Sequence, residues 1–363
     1  MGTEGGNLSF HTSSHWALYN EGTLTKRSNR SVAFTPVSGG ATDWGLLYAQ
    51  SSFIDEKHNN RRVQWGWAPE DILNATIIKQ QGFQGSFGLP RQLFAHVAKG
   101  LSDPDGKLKS SGARVSREAD GTYTASTLGM KPLEDVVRGI RTGSKRTIGT
   151  GRNEGSLHME YAVTLTEIAG RAGLYIAASP SFDEMTLIVY DPSNHTIAVD
   201  RTRSSLAPGF GSETIQGSFY PYMASDGTIE DIRLRVFLDG SLLEVYANDR
   251  FALTTRIYPS KKESVGFGIA NLDGGARGEA GEAWIGTRNI WPERPLNSSA
   301  PLVYDSPEKS NNYTVSSCPQ FVQQSLLIPI VVEWRLTSTV SSHPGRSCKY
   351  LILLDDFPSI CFS

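Results

Sequence analysis

Residues 232–248 read IRLRVFLDGSLLEVYAN, two apolar-rich runs joined at Asp239-Gly240. Ile232, Leu234, Val236 and Leu238 fall on every second position, the period of a strand with one buried face, and Asp-Gly is a dipeptide that two-residue hairpin turns favour. The stretch therefore predicts an antiparallel hairpin, and the same pattern continues on both sides. Leu157, Met159, Tyr161, Val163 and Leu165 alternate through LHMEYAVTL, TLIVYD spans 186–191, and ALTTRIYP follows at 252–259. Thirty-six glycines and 18 prolines cut the chain into short runs of this kind, with helical periodicity confined to brief pieces. Many short strands with regular turn signals predict an all-β chain containing a β-sandwich.

A first unit precedes that sandwich. WGLLYAQSSF (44–53), residues 61–67 and QLFAHV (92–97) have strand character, and LSDPDGKL (101–108) turns tightly through Pro104, Asp105 and Gly106. Within this unit RVQWGWAPED (62–71) places Val63, Trp65 and Trp67 on one strand face and Gln64, Gly66 and Ala68 on the other, then closes with Glu70 and Asp71. Sugar sites combine an aromatic surface for C–H faces with carboxylates and arginines for hydroxyls, and residues 43–91 hold that inventory. The alternative is a packed core with solvated loop charges.

Composition excludes several partner classes. Thirty-five basic against 37 acidic side chains give a net charge of −2, so no electrostatic footprint for nucleic acid or an anionic membrane is present. No run of 18 apolar residues predicts a membrane span, and MGTEGGNLSF lacks the pattern of a signal peptide. The motifs GxxxxGK[ST], HExxH, CxxC and GxSxG do not occur, and the histidines are scattered, so neither a metal nor a cofactor is expected. All three cysteines, Cys318, Cys348 and Cys361, lie in a serine-rich tail, 299–363, whose texture differs from the rest and which reads as an appendage. Asn-x-Ser/Thr triplets at Asn7, Asn29, Asn74, Asn194, Asn297 and Asn312 suit a secreted glycoprotein.

The order of motifs adds a resemblance. TPVSGGATDWGLLYAQSSF, RRVQWGWAPED and QGFQGSFGLPRQLF resemble the closing part of the catalytic domain of glycoside hydrolase family 32, the invertases, inulinases, levanases and fructosyltransferases. DPSNHTIAVDRTRSS and LRVFLDGSLLEVYANDRFALTTRIYP resemble that family's C-terminal sandwich, including Asp-Arg-x-x-Ser-Ser at Asp200 to Ser205. The resemblance covers roughly 10–295 and implies the last blades of a five-bladed β-propeller at 1–110, then a β-sandwich at 111–298. It implies a fructose-containing saccharide, such as sucrose, inulin or levan, as substrate and an extracellular full-length relative.

The resemblance also implies which residues line the site. Asp43, in the Asp-x-Gly-x-x-Tyr-Ala pattern, and Trp67 and Glu70, in the Gly-Trp-x-x-Glu pattern, match substrate-side motifs, whereas Trp65 and Arg91 match structural ones. The family's Asn-Asp-Pro-Asn-Gly nucleophile motif, its Arg-Asp-Pro motif and its Glu-Cys-Pro or Glu-Val-Pro acid/base motif are absent, so no catalytic residue is assigned. Retaining cleavage needs two carboxyl groups on the order of 5 Å apart, and the expectation is a truncated chain inactive alone. The alternative is a non-catalytic carbohydrate-binding or interaction protein built on the sandwich.

Overall fold

The structure, a computed structural model, describes residues 2–4, 15–70, 73, 78, 84–149, 151–210, 212–274, 276, 278–287, 351–352 and 359–361. The hairpin at the centre of the sequence forms in the expected register: Asp239 pairs with Leu242 across Gly240, whose φ of +59° is the conformation that a glycine-first hairpin turn demands. Its strands, Ile232–Asp239 and Leu242–Ala247, belong to a six-stranded antiparallel sheet with Arg141–Thr147, Gly278–Thr287, His158–Thr166 and Phe251–Arg256.

A second six-stranded sheet faces it, formed by Asn153–Glu154, Gly266–Asn271, Ala172–Ala178, Thr186–Asp191, Thr196–Asp200 and Ile215–Ser218. Met159, Tyr161, Val163, Leu165, Val236 and Leu238 of the first sheet pack with Leu174, Ile176, Ile188 and Val199 of the second, all but removed from solvent. The alternating residues read from the sequence are therefore the core of a sandwich.

The N-terminal region forms two more sheets. His15–Lys26 and Val32–Asp43 pair as a long hairpin flanked by Gly2–Glu4. A seven-stranded sheet runs in the order Tyr48–Asp55, Arg61–Ala68, Arg91–Ser102, Tyr123–Pro132 and Arg114–Arg117, with the short strands Ser86–Phe87 and Met223–Ala224 added. These blade-like sheets followed by the sandwich give the all-β, partial-propeller-plus-sandwich class expected. The boundary differs from the expected one. Arg114–Arg117 and Tyr123–Pro132 hydrogen-bond within the blade-like sheet, so it reaches Pro132 rather than residue 110. Loop 101–108 is the tight turn after which Arg114–Arg117 and Tyr123–Pro132 return to complete the same sheet.

Most of the tail expected to be an appendage lies outside the described residues. Of it, Ser359–Cys361 pairs with Asn20–Gly22 and with Leu351–Ile352.

A single described helix with α geometry, Glu134–Ile140, follows the last blade strand and carries Glu134 and Asp135 in its first turn, where the helix dipole favours carboxylates. It buries Val137 against Leu93, Leu128 and Met130. Arg61 of the blade-like sheet grips Asp135 through two bonds of 2.9 and 2.8 Å. Glu134 pairs with Arg235 of the sandwich, and Arg235 and Arg141 converge on the buried Glu160.

The hydrogen bonds from Arg61 hold the Asp135 carboxyl down at about 2, below its ordinary 3.8. A depressed folded-state value contributes stability that is present above the unfolded value and lost as pH falls through the folded one. The stability gap between the native chain and Asp135→Asn, read from urea midpoints, is expected to be widest above pH 4 and to close towards pH 2. A constant gap across that window would show that the clasp contributes through packing alone.

Candidate functional site

The sequence-expected site residues converge on the junction between the blade-like sheet and the sandwich. Asp43 ends the strand Val32–Asp43 with no exposure, and both of its oxygens are engaged by the protein. Oδ1 accepts from the amides of Gly45 (2.8 Å) and Thr254 (3.0 Å); Oδ2 accepts from Arg91 Nη2 (2.8 Å) and the Thr254 hydroxyl (2.7 Å). Gly45 is required by proximity, since a Cβ there would lie 1.7 Å from the carbonyl oxygen of Thr254. Of the two roles the resemblance implies for Asp43, ordering arginines or meeting fructose hydroxyls, its bond to Arg91 fits the first; the carboxylate also joins two modules, because the Asp-x-Gly segment pairs with the sandwich strand Phe251–Arg256.

Arg91, read as structural, is the other half of that joint. Its guanidinium is buried and bonds the Tyr246 hydroxyl (2.9 Å), the Thr42 carbonyl (3.0 Å), Asp43, Glu244 (3.2 Å) and Thr254 (2.8 Å). Burial by itself would lower the arginine's pKa. The Tyr246 hydroxyl and the Asp43 and Glu244 carboxylates outweigh it and hold the value above the ordinary one.

Around Trp67 and Glu70 the burial pattern divides the two tryptophans in the opposite sense to the sequence reading. Trp65, expected to be core, is 39% exposed and meets the exposed Phe87 edge-to-face at 5.8 Å. Val63 is buried at the start of the face it shares with Trp65, but from Gln64 onwards the buried residues of Arg61–Ala68 are Gln64, Gly66 and Ala68. Gly66 lies against Leu47, so a small residue rather than an indole fills the interior at that level. Trp67 is half-buried and stands beside Gly85, where φ is +92° and a Cβ would lie 2.3 Å from the indole nitrogen.

Glu70 is completely buried, and the sandwich holds it. Tyr258 donates a hydrogen bond to Oε2, and Arg256 Nη1 lies 2.8 Å from Oε1 as an ion pair. Oε1 accepts no hydrogen bond among the described residues. Burial, then the bond to Glu70, raises the Tyr258 hydroxyl well above its ordinary pKa, so it remains a donor at neutral pH. Arg256 also bonds the carbonyls of Ala68 (2.7 Å) and Pro69 (3.0 Å) and the hydroxyls of Ser86 and Ser241 (2.8 Å each). One sandwich arginine thereby sets the path of the segment between Trp67 and Glu70.

Sequence reasoning missed Arg256 and Tyr258. Their signal is in ALTTRIYP, where an arginine closes an otherwise uncharged strand, and a buried cation needs a partner. Arg201, in the Asp-Arg-x-x-Ser-Ser motif, continues the chain by donating to the Arg256 carbonyl (3.0 Å), while Ser204 bonds Thr186 (2.7 Å). Asp71 lies outside the described residues. Among the described residues no cluster of His, Cys, Asp or Glu is placed to hold a metal ion, and no helix is long and apolar enough to cross a membrane.

Residues 132–288 match the family model described as glycosyl hydrolases family 32 C terminal. A fructan 6-exohydrolase of Beta vulgaris is 28% identical over 243 residues, covering 60% of this chain and 38% of that protein. A vacuolar acid beta-fructofuranosidase of a Rosa hybrid cultivar is 27% identical over 239 residues, covering 60% and 36%. Among solved structures, Aspergillus kawachii beta-fructofuranosidase complexed with glycerol superposes with a TM-score of 0.69 at 25% identity, covering 81% of this chain and 55% of the other. A fructosyltransferase from A. japonicus gives 0.68, also at 25% identity, covering 81% and 53%. The chain thus spans well under half the length of those two curated relatives.

Proposed function

We propose, for a chain that belongs to glycoside hydrolase family 32 and covers its C-terminal portion, that it supplies one wall of a β-fructofuranoside site and cleaves no glycosidic bond by itself. The observation that carries this reading is Glu70: a fully buried carboxylate, held from the sandwich by Arg256 and Tyr258, with one oxygen accepting no hydrogen bond among the described residues, three positions after a half-buried tryptophan. A buried acceptor of this kind fits a sugar hydroxyl, and Trp67 fits the C–H face of the same ring. Asp43 and Arg91 act at one remove by joining the two modules. The substrate class on this reading is a β-fructofuranoside, sucrose or a fructan, in keeping with relatives named fructan 6-exohydrolase and acid beta-fructofuranosidase.

No pair of residues in the sequence matches the family's nucleophile and acid/base motifs, so the purified chain is expected to release no fructose from sucrose, inulin or levan above buffer. Fusing residues 10–295 behind the N-terminal blades of an intact relative is expected to restore release. In that fusion Trp67→Ala should lower kcat/KM about fivefold or more, the equivalent of about 1 kcal/mol of stacking, with its melting temperature nearly unchanged; Glu70→Gln should lower kcat/KM further and also lower the melting temperature, because it leaves Arg256 buried without its carboxylate partner. Trp65→Ala should leave both kinetics and melting nearly unchanged, because its ring is already partly in water. Turnover by the unfused chain would overturn the non-catalytic assignment; Trp67→Ala that unfolds the fusion without a kinetic effect would return that ring to the core.

A further inference from the structure

Two of the Asn-x-Ser/Thr triplets lie on described backbone, 165 positions apart by the difference between 29 and 194, and they have the same local geometry. Asn29 is in the exposed turn between His15–Lys26 and Val32–Asp43; Asn194 is in the exposed turn between Thr186–Asp191 and Thr196–Asp200. In each the middle residue is non-glycine with left-handed φ, Arg30 at +67° and His195 at +53°. That conformation turns the chain so that the third residue's hydroxyl donates to the asparagine Oδ1, Ser31 at 2.7 Å and Thr196 at 2.6 Å.

From this geometry we infer that Asn29 and Asn194 are N-glycan acceptors. A hydroxyl bonded to Oδ1 polarises the carboxamide and makes its Nδ2 protons more acidic, so that one is more readily given up to a base as the nitrogen attacks. Because the bond spans only two residues, a chain that has not yet folded can also form it. A branched glycan also needs permanent exposure. At Asn194 the middle side chain leaves that room by folding back onto the protein: the His195 ring lies 4.6 Å from that of Tyr220, and its Nδ1 is 3.0 Å from the Tyr190 hydroxyl. At Asn29 every residue from Thr25 to Val32 is exposed.

The donor is an oligosaccharide on a polyprenyl diphosphate, brought by a transferase. Asparagine Nδ2 bonds to the anomeric carbon as the bond from that carbon to the phosphate oxygen breaks. The lipid diphosphate departs with the electron pair, and one carboxamide proton passes to a base. No oxidation or reduction takes place. The inference is independent of the fructoside reading, since neither asparagine lies near Trp67 or Glu70 in the strand order.

The test is to direct the full chain into the secretory pathway of a eukaryotic cell with a cleavable leader. The product is treated with peptide N-glycosidase in water enriched in oxygen-18, and peptides are mapped by mass. Conversion of Asn29 and Asn194 to labelled aspartate is expected at both positions. Asn29→Gln and Asn194→Gln should each remove one glycan mass from the intact protein and leave the melting temperature of the deglycosylated chain unchanged. Recovery of either peptide as unlabelled asparagine from the secreted protein overturns the assignment of that residue. Recovery of both unlabelled overturns the inference.

Discussion

Arg91→Met is expected to destabilise the chain by about 3–5 kcal/mol, the cost typical of removing one partner from a buried ion pair. The guanidinium donates to five protein groups, and two of them are the carboxylates of Asp43 and Glu244. Methionine fills much of the volume but leaves those two charges facing each other out of water, with Tyr246 still donating to Glu244 at 2.7 Å. The pH dependence identifies this cause. Orphaned like charges take up a proton more readily in the folded variant than in its unfolded chain, so the variant's deficit should shrink as pH falls from 7 towards 4. Urea midpoints for native chain and variant across that range measure it. In Asp43→Asn/Arg91→Met the loss should fall short of the sum of the single losses, as expected for residues in one network. Additive losses with no pH dependence would mean that packing, rather than charge, makes the joint.

Arg256→Met should rank next, with a loss also about 3–5 kcal/mol, and its consequences should reach the site. The side chain satisfies the carbonyls of Ala68 and Pro69 and pairs with Glu70, so its removal releases three groups of one segment together. The Trp67 environment should respond first: tryptophan emission of the folded variant should shift relative to the native chain in water, at urea concentrations well below the main transition. Arg256→Lys restores a charge but cannot reproduce the planar fork that reaches two carbonyls, a carboxylate and two hydroxyls. It should therefore recover less than half of the lost stability. Full rescue by lysine would reduce the role of Arg256 to charge alone.

These effects explain why the two modules are coupled. A sandwich of this size can bury its own core, and its two sheets do so with apolar residues. At the junction, however, Arg91 and Arg256 are among the largest completely buried side chains. Polar groups buried at a seam are stable only while both sides supply partners. The seam is therefore specific, and changes in the sandwich are felt at Glu70.

The period-2 runs from Leu157 to Leu165 and from Ile232 to Leu238, together with Asp239-Gly240, were sufficient to predict the sandwich strands, their buried faces and one register. Strand alternation and turn chemistry are local properties and are legible in a single sequence. The motif order also pointed to the family, and the match over residues 132–288 agrees with it. The roles of the conspicuous polar and aromatic residues were decided only by tertiary structure. Trp65 and Trp67 share a face by periodicity, but which face is buried depended on Leu47 arriving against Gly66. Asp43 has the composition of a ligand-binding carboxylate, yet Arg91 and Thr254, 48 and 211 positions away, occupy its oxygens. Tyr258 reaches Glu70 from 188 positions along the chain, and Arg256 from the end of the strand just before it. Alternation fixes which residues can share a face, whereas the partner of a buried charge is set by whichever element the fold brings within about 3 Å, and no periodicity encodes that.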